Sequence, residues 1–189
     1  QAPDPKEQEA LRRKLGIPKG KLVLLYLGRM AKEKGLEELM DYLARAGRKD
    51  AVVLLVGDGP DREEVLACAK AKKVPVIFAG MVPHSEVPNY YRLGDIFITA
   101  STSETQGLTY FEALAAGLPV LCRKDPCLEG VIENGVNGWQ YETGEAFCLH
   151  LALFCGDKAL RKQMAQAAED TAERFSAEAF GRAAEALYR

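Results

Sequence analysis

Short apolar runs separated by amphipathic stretches set the pattern of this chain. Lys21–Leu27 and Ala51–Val56 are almost wholly apolar, as expected of strands covered on both faces. Val74–Ala79, Asp95–Ala100, Val120–Arg123 and Trp139–Tyr141 repeat that pattern more briefly, so six strands are expected. Helical spacing lies between them. Leu36, Leu39, Met40 and Leu43 mark one helix face, and Val65, Leu66 and Ala69 mark another over Asp61–Lys72, with Asp61 and Glu64 at its start. Val87–Leu93 predicts a short helix that packs through Tyr90, Tyr91 and Leu93. Lys6–Leu15 reads as a polar helix with Leu11 and Leu15 on one side, stopped by Gly16, Pro18 and Gly20. Beyond Val120–Arg123, a brief helix is expected over Leu128–Glu133, and three more over Glu145–Cys155, Lys158–Phe175 and Ala177–Tyr188.

Strands that alternate with helices predict an α/β protein: a doubly wound parallel six-stranded sheet with helices on both faces. Right-handed crossovers favour the strand order 3-2-1-4-5-6, which makes strands one and four neighbours at the switch point. Ligands of such sheets bind there, outside the carboxyl ends of the strands. The two loops meeting at that point would be Gly28–Gly35 and Ala100–Thr109.

Composition narrows the function. At 189 residues the chain suffices for one well-buried α/β domain. A net charge of −2, with no basic stripe, gives no support for a nucleic-acid partner. Its longest apolar runs are too short to span a bilayer, so no transmembrane segment is expected. The five cysteines (Cys68, Cys122, Cys127, Cys148, Cys155) lack metal-ligand spacing and suit idle thiols in a reducing cytoplasm. A chain that opens on Gln1 rather than Met is expected to be an excised piece of something larger, or to have been processed.

The two loops carry the candidate chemistry. Arg29 and Lys34 stand just before a helix, where a guanidinium fork and a mobile ammonium together neutralise a diphosphate and steady it as a leaving group. Taken alone, Arg29, Lys32 and Lys34 beside Glu33 fit an ordinary solvated loop better. In the second loop, Glu104 is followed by Gly107 and then by Glu112 in a helical first turn. Backbone amides from Gly107 to Tyr110 suit an anion, and the two carboxylates suit hydroxyl groups, so a nucleotide-sugar would use every part. Two readings of Glu112 stand even: a hydroxyl acceptor, or the closing acid of a capping box with Thr109. No Asp-x-Asp pair occurs, so a carboxylate-clamped metal is not suggested. Gly57-Asp58-Gly59 reads as a tight turn, because Arg62 replaces the third glycine of a dinucleotide fingerprint. Of the histidines, His84 reads as exposed and His150 as structural.

Gly28-Arg29-Met30…Lys34-Gly35, Val56-Gly57-Asp58-Gly59-Pro60, Phe78-Ala79-Gly80 and Glu104…Gly107-Leu108…Glu112-Ala113…Gly117-Leu118-Pro119-Val120 occur in one order. Together they resemble the C-terminal half of glycosyltransferase family 4, the group 1 transferases with a GT-B fold. The resemblance implies a Rossmann-like donor domain over residues 21–175, after a lead-in helix and linker at 1–20 and before a final helix at 176–189. It implies that Arg29 and Lys34 hold the donor diphosphate beside Gly28, and that Glu104 lies by the donor sugar. Arg29, Lys34 and Glu104 are thereby the expected catalytic groups. It also implies that the amides of Gly107, Leu108 and Thr109 contact sugar or phosphate, that Glu112 binds the ribose, and that Gly80, Met81 and Val82 border the base. The implied reaction retains anomeric configuration and uses a nucleotide diphosphate-sugar, UDP-sugar ahead of GDP-sugar, with neither metal nor cofactor. The family's N-terminal domain, with the acceptor site and a catalytic histidine, is missing, so little transfer is expected of this chain alone. The expected location is cytoplasmic, with peripheral contact at the inner membrane face open to the full-length protein. Two alternatives remain: half of a sugar-nucleotide 2-epimerase, and a nucleotide-binding module without catalysis.

Overall fold

A computed structural model describes residues 4–102 and 108–187, with side chains described as far as Ala177. Strands β1 (Leu22–Leu27), β2 (Ala51–Val56), β3 (Val76–Gly80), β4 (Ile96–Ile98), β5 (Val120–Arg123) and β6 (Gly138–Tyr141) form one parallel sheet. Its order is β3-β2-β1-β4-β5-β6, as the alternation of strands and helices predicts.

Helices cover both faces because the strands are apolar in both directions. In β1, Leu24 and Tyr26 pack with α2 (Leu36–Ala46), α3 (Arg62–Ala71) and α6 (Gly144–Gly156). The intervening Val23 and Leu25 pack with α4 (Val87–Leu93), α5 (Leu108–Ala115) and, through Leu11 and Leu15, α1 (Pro5–Leu15). The last helix, α7 (Lys158–Leu187), places Met164 in the first of these layers and Ala168 in the second, so it crosses from one to the other. Each fully buried leucine here, such as Leu25, Leu39 or Leu54, contributes on the order of 2 kcal/mol by removal from water.

Local chemistry sets the ends. Asp4 caps α1 by accepting the Lys6 N–H at 2.9 Å, Pro5 opens the helix, and Gly16 closes it in the left-handed conformation at φ 72°. Asp95 accepts the Val23 N–H at 2.7 Å, which ties the entry of β4 to β1. Asn137, fully buried, donates to the Val131 carbonyl and to Thr171 Oγ1, and accepts the Glu133 N–H. It thereby fastens α7 to the turn before β6.

Some boundaries differ from the pattern-based expectation. The helix expected over Leu128–Glu133 is a single 3-10 turn, Pro126–Leu128, because Glu129 is extended and Gly130 sits at φ 77°. The two final helices are one, Lys158–Leu187, since the Ser176 region carries no proline or glycine to interrupt it. Strand β3 starts at Val76 rather than Val74 because Lys73 turns the chain at φ 57° and Pro75 has no N–H to pair. Strand β4 shrinks to Ile96–Ile98.

Candidate functional site

The exits of β1, β2 and β3 are laced together by backbone. The Gly28 N–H donates to the Val56 carbonyl at 3.0 Å, and the Gly57 N–H donates to the Gly80 carbonyl at 2.8 Å. The Met30 N–H donates to Asp58 at 2.9 Å, while the Met30 carbonyl accepts the Asp61 N–H at 3.0 Å. Such close approach needs glycine. A Cβ on Gly57 would stand 2.1 Å from the Gly28 oxygen, and one on Gly59 would stand 2.2 Å from the Met30 oxygen. The Gly57-Asp58-Gly59 segment is thus a tight turn, as its glycines lead one to expect, and it also lines the cleft that opens over these strand exits. Asp58 braces the turn by accepting the Gly59 N–H at 2.8 Å and Arg62 at 3.3 Å.

A cleft of about 710 Å³ opens over this lacing. Gly28 and Arg29 line it from β1, Gly57 and Pro60 from β2, and Met81 and Val82 from the loop after β3. Arg29 and Met81 are both exposed, Met81 to 78%. Val87 is shared with a second cleft of about 330 Å³, lined also by His84, Tyr91, Arg92 and Glu112. The two clefts thus bring Arg29, Met81, Val82 and Glu112 to neighbouring walls.

Lys34 sits in a 3-10 turn, Lys32–Lys34, that leads into α2. This loop touches the one leaving β4. The Thr102 N–H donates to the Glu33 carbonyl at 3.4 Å, and a Cβ on Gly35 would come within 2.6 Å of the Ala100 oxygen. The contact expected at the switch point is thus a backbone-to-backbone one. Glu104 and Gly107 lie outside the described residues. Leu108 and Thr109 form the first turn of α5, so Thr109 is inside the helix and not at its cap. Glu112 instead accepts the Tyr91 hydroxyl at 2.9 Å. Its carboxylate is held by a tyrosine that is 2% exposed and whose ring lies 6.3 Å from that of Phe97.

Other titratable groups fall away from the site. Burial pushes the Cys122 thiol up to about 12 and the Cys155 thiol to about 11, so neither is an available thiolate near neutrality. His150 stacks on Trp139 at 5.3 Å, and burial lowers its pKa. Among the described residues, no cluster of three or more His, Cys, Asp or Glu is placed to hold a metal ion. Nor is any helix among them long and apolar enough to cross a membrane.

Sequence comparison decides the family. The model for "Glycosyl transferases group 1" matches residues 7–171. The chain belongs to the group 1 glycosyltransferases. It is 33% identical over 185 residues to the alpha-monoglucosyldiacylglycerol synthase of Acholeplasma laidlawii, a match covering 95% of this chain and 46% of the synthase. The chain therefore spans about half the length of that relative. Among solved structures, Anabaena HepE in complex with UDP matches 91% of this chain and 49% of its own, with a TM-score of 0.80 and 25% identity. The C-terminal domain of a group 1 glycosyltransferase (LpcC) from Francisella tularensis matches 91% of this chain and 93% of its own, at a TM-score of 0.77 and 26% identity. The fold is accordingly that of a GT-B C-terminal domain.

The structure gives Tyr91 and Arg123 polar partners that local pattern does not announce. Tyr91 packs as its pattern predicts, and a buried tyrosine also needs a partner for its hydroxyl, which is the signal its sequence position offered. Arg123, at the end of an otherwise apolar strand, was a second such signal.

Proposed function

We propose that this chain is the donor-binding half of a retaining glycosyltransferase, which moves a sugar from a nucleotide diphosphate-sugar to an acceptor held by a preceding domain. The observation that carries the reading is the contact of the two loops at the switch point, through Thr102 and Glu33 and through Gly35 and Ala100. It sets the cationic loop of Arg29 and Lys34 beside the exit of β4 at Ala100–Thr102.

In this reading the base lies along Gly80–Val82, the ribose hydroxyls donate to Glu112, and the diphosphate faces Arg29 and Lys34 with Gly28 beneath it. The amides of Gly107, Leu108 and Thr109 complete the phosphate and sugar contacts, and Glu104 faces the sugar. When the bond from the anomeric carbon to the phosphate oxygen breaks, its electron pair leaves with the diphosphate. Arg29 and Lys34 stabilise that charge, so the step needs neither a metal nor a cofactor from this chain. A UDP-sugar is the favoured donor. The UDP complex of HepE supports it. The name of the Acholeplasma relative makes a diacylglycerol lipid the first acceptor to try with the full-length protein. The donor half, residues 21–175, turns over little by itself.

Calorimetric titration with UDP, GDP and their glucose and mannose conjugates, repeated on Glu112→Ala, tests the reading. Binding of UDP species ahead of GDP species, weakened about tenfold or more by the substitution, is expected. Equal affinity of Glu112→Ala and wild type for UDP would remove Glu112 from the ribose site.

A further inference from the structure

Behind the two site loops, a charged and aromatic cluster fastens them to the sheet. At its centre is Arg123, the last residue of β5, whose side chain is 23% exposed. Arg123 Nε donates to the Ala100 carbonyl at 3.0 Å, where the chain leaves β4. Its Nη2 pairs with Glu38 Oε2 in the first turn of α2 and donates to the Tyr42 hydroxyl at 3.4 Å. That hydroxyl in turn donates to the other Glu38 oxygen. The guanidinium also sits 5.9 Å from the centre of the Tyr141 ring. Tyr141 completes the cluster, its hydroxyl donating to the Thr99 carbonyl at 2.8 Å.

The Ala100 carbonyl is therefore gripped from two sides. Arg123 donates to it, and Gly35, at the end of the cationic loop, packs directly against it. Glu38 begins the helix that this loop feeds. One planar guanidinium thus joins the β4 exit, the α2 entry and the end of β5. A lysine, with a single point charge, cannot hold both acceptors in that plane.

We propose that Arg123 is a positioning residue for the donor site. By bonding the Ala100 carbonyl and Glu38 together, it holds the Arg29/Lys34 loop and the β4 exit at Ala100 at the spacing one nucleoside diphosphate bridges. This rests on the donor reading above. A ligand that spans both loops needs the clamp, whereas a nucleoside, which lacks the phosphates, does not. That difference separates positioning from general bracing of the fold.

The test is calorimetric titration of wild type, Arg123→Lys, Arg123→Met and Glu38→Gln with UDP and with uridine, together with urea unfolding of each. Arg123→Met weakens UDP by about tenfold or more, since small misplacements of binding groups are costly. Its uridine affinity stays within about twofold of wild type. Arg123→Lys recovers part of the loss, and Glu38→Gln moves the same way as Arg123→Met. Should Arg123→Met fail to fold, Glu38→Gln carries the test, because the Glu38 side chain is 43% exposed and tolerates change. A lowered urea midpoint with unchanged UDP affinity, or equal losses for UDP and uridine, overturns the proposal. Failure of wild type to bind UDP overturns the donor reading and this inference with it. Wild-type binding with unaltered variants overturns the inference alone.

Discussion

Gly57→Ala is the substitution whose effect follows most directly from the geometry. Gly57 lies at φ 124°, a conformation that costs a residue with a side chain about 1–3 kcal/mol. Its added Cβ would also stand 2.1 Å from the Gly28 carbonyl oxygen, roughly 1 Å inside the closest ordinary approach of such atoms. Neither partner has a flexible end to swing away, because both are backbone. Relief therefore requires the Gly28–Met30 segment to move. That strains the bond from the Gly28 N–H to Val56, at 3.0 Å, whose loss costs about 1 kcal/mol. The expected total is about 2–4 kcal/mol, or a fall in Tm of about 5–15 °C for a chain of this size. Gly135→Ala is the control. Gly135 is also left-handed, at φ 77°, but has nothing within 4 Å of its would-be Cβ, so it carries the conformational cost of about 1 kcal/mol alone. Urea unfolding of the three proteins, with m compared to exclude a changed unfolded state, measures the difference. Equal stability of the two variants would refute the idea that the Gly57 turn and the Gly28 loop are in hard contact. Because the segment that moves carries Arg29, UDP affinity should fall as well, by about tenfold or more.

Tyr91→Phe removes the hydroxyl that Glu112 accepts at 2.9 Å and leaves the ring packing in place. UDP affinity should drop about three- to tenfold, and the double variant with Glu112→Gln should lose less than the sum of the singles. Strictly additive losses would show that Tyr91 does not act through Glu112. His150 carries a pH dependence of known sign. Its folded pKa lies below the ordinary 6.5 because burial disfavours the charged ring, so the unfolded chain binds the proton more readily. Its contribution is full above about pH 6.5 and is lost as pH falls toward the folded value. Urea unfolding at pH 7.5 and 5.5 should therefore show a steeper acid loss in wild type than in His150→Phe. Parallel losses would remove His150 as the cause.

Much of this architecture was legible because it rests on local pattern. Two-sided apolar strands such as Ala51–Val56 announce a covered parallel sheet, and the crossover rule then orders the strands without reference to any side-chain contact. The same topology brought the Gly28–Gly35 and Ala100–Thr109 loops together on paper, and Gly35 does pack on Ala100. Boundaries were less legible where one residue's dihedral decides, as with Lys73 before β3 and Gly130 after the Pro126–Leu128 turn. Least legible were the partners of buried polar groups. Tyr91 and Glu112 lie on different helices, and so the bond between them has no local signature.

Arg123 shows why the supporting layer of a site resists sequence reading more than the site itself. A candidate phosphate-binding cation is marked by standing before a helix in a glycine-bearing loop, the setting that singles out Arg29 and Lys34. A cation that binds the protein's own carbonyl has no such motif, because its acceptor is any residue the fold delivers. Ala100 is such a residue: its side chain says nothing, yet its carbonyl is where the Arg123 bond and the Gly35 contact converge. The electrostatics agree with that assignment. Arg123 holds the Glu38 carboxyl below its ordinary pKa, so the pair stays ionised across the physiological range and the clamp does not loosen with modest acidification. Loop spacing at this site is thus set by a permanent charge pair rather than by a titrating one, and UDP affinity should carry no pH dependence from Glu38 near neutrality.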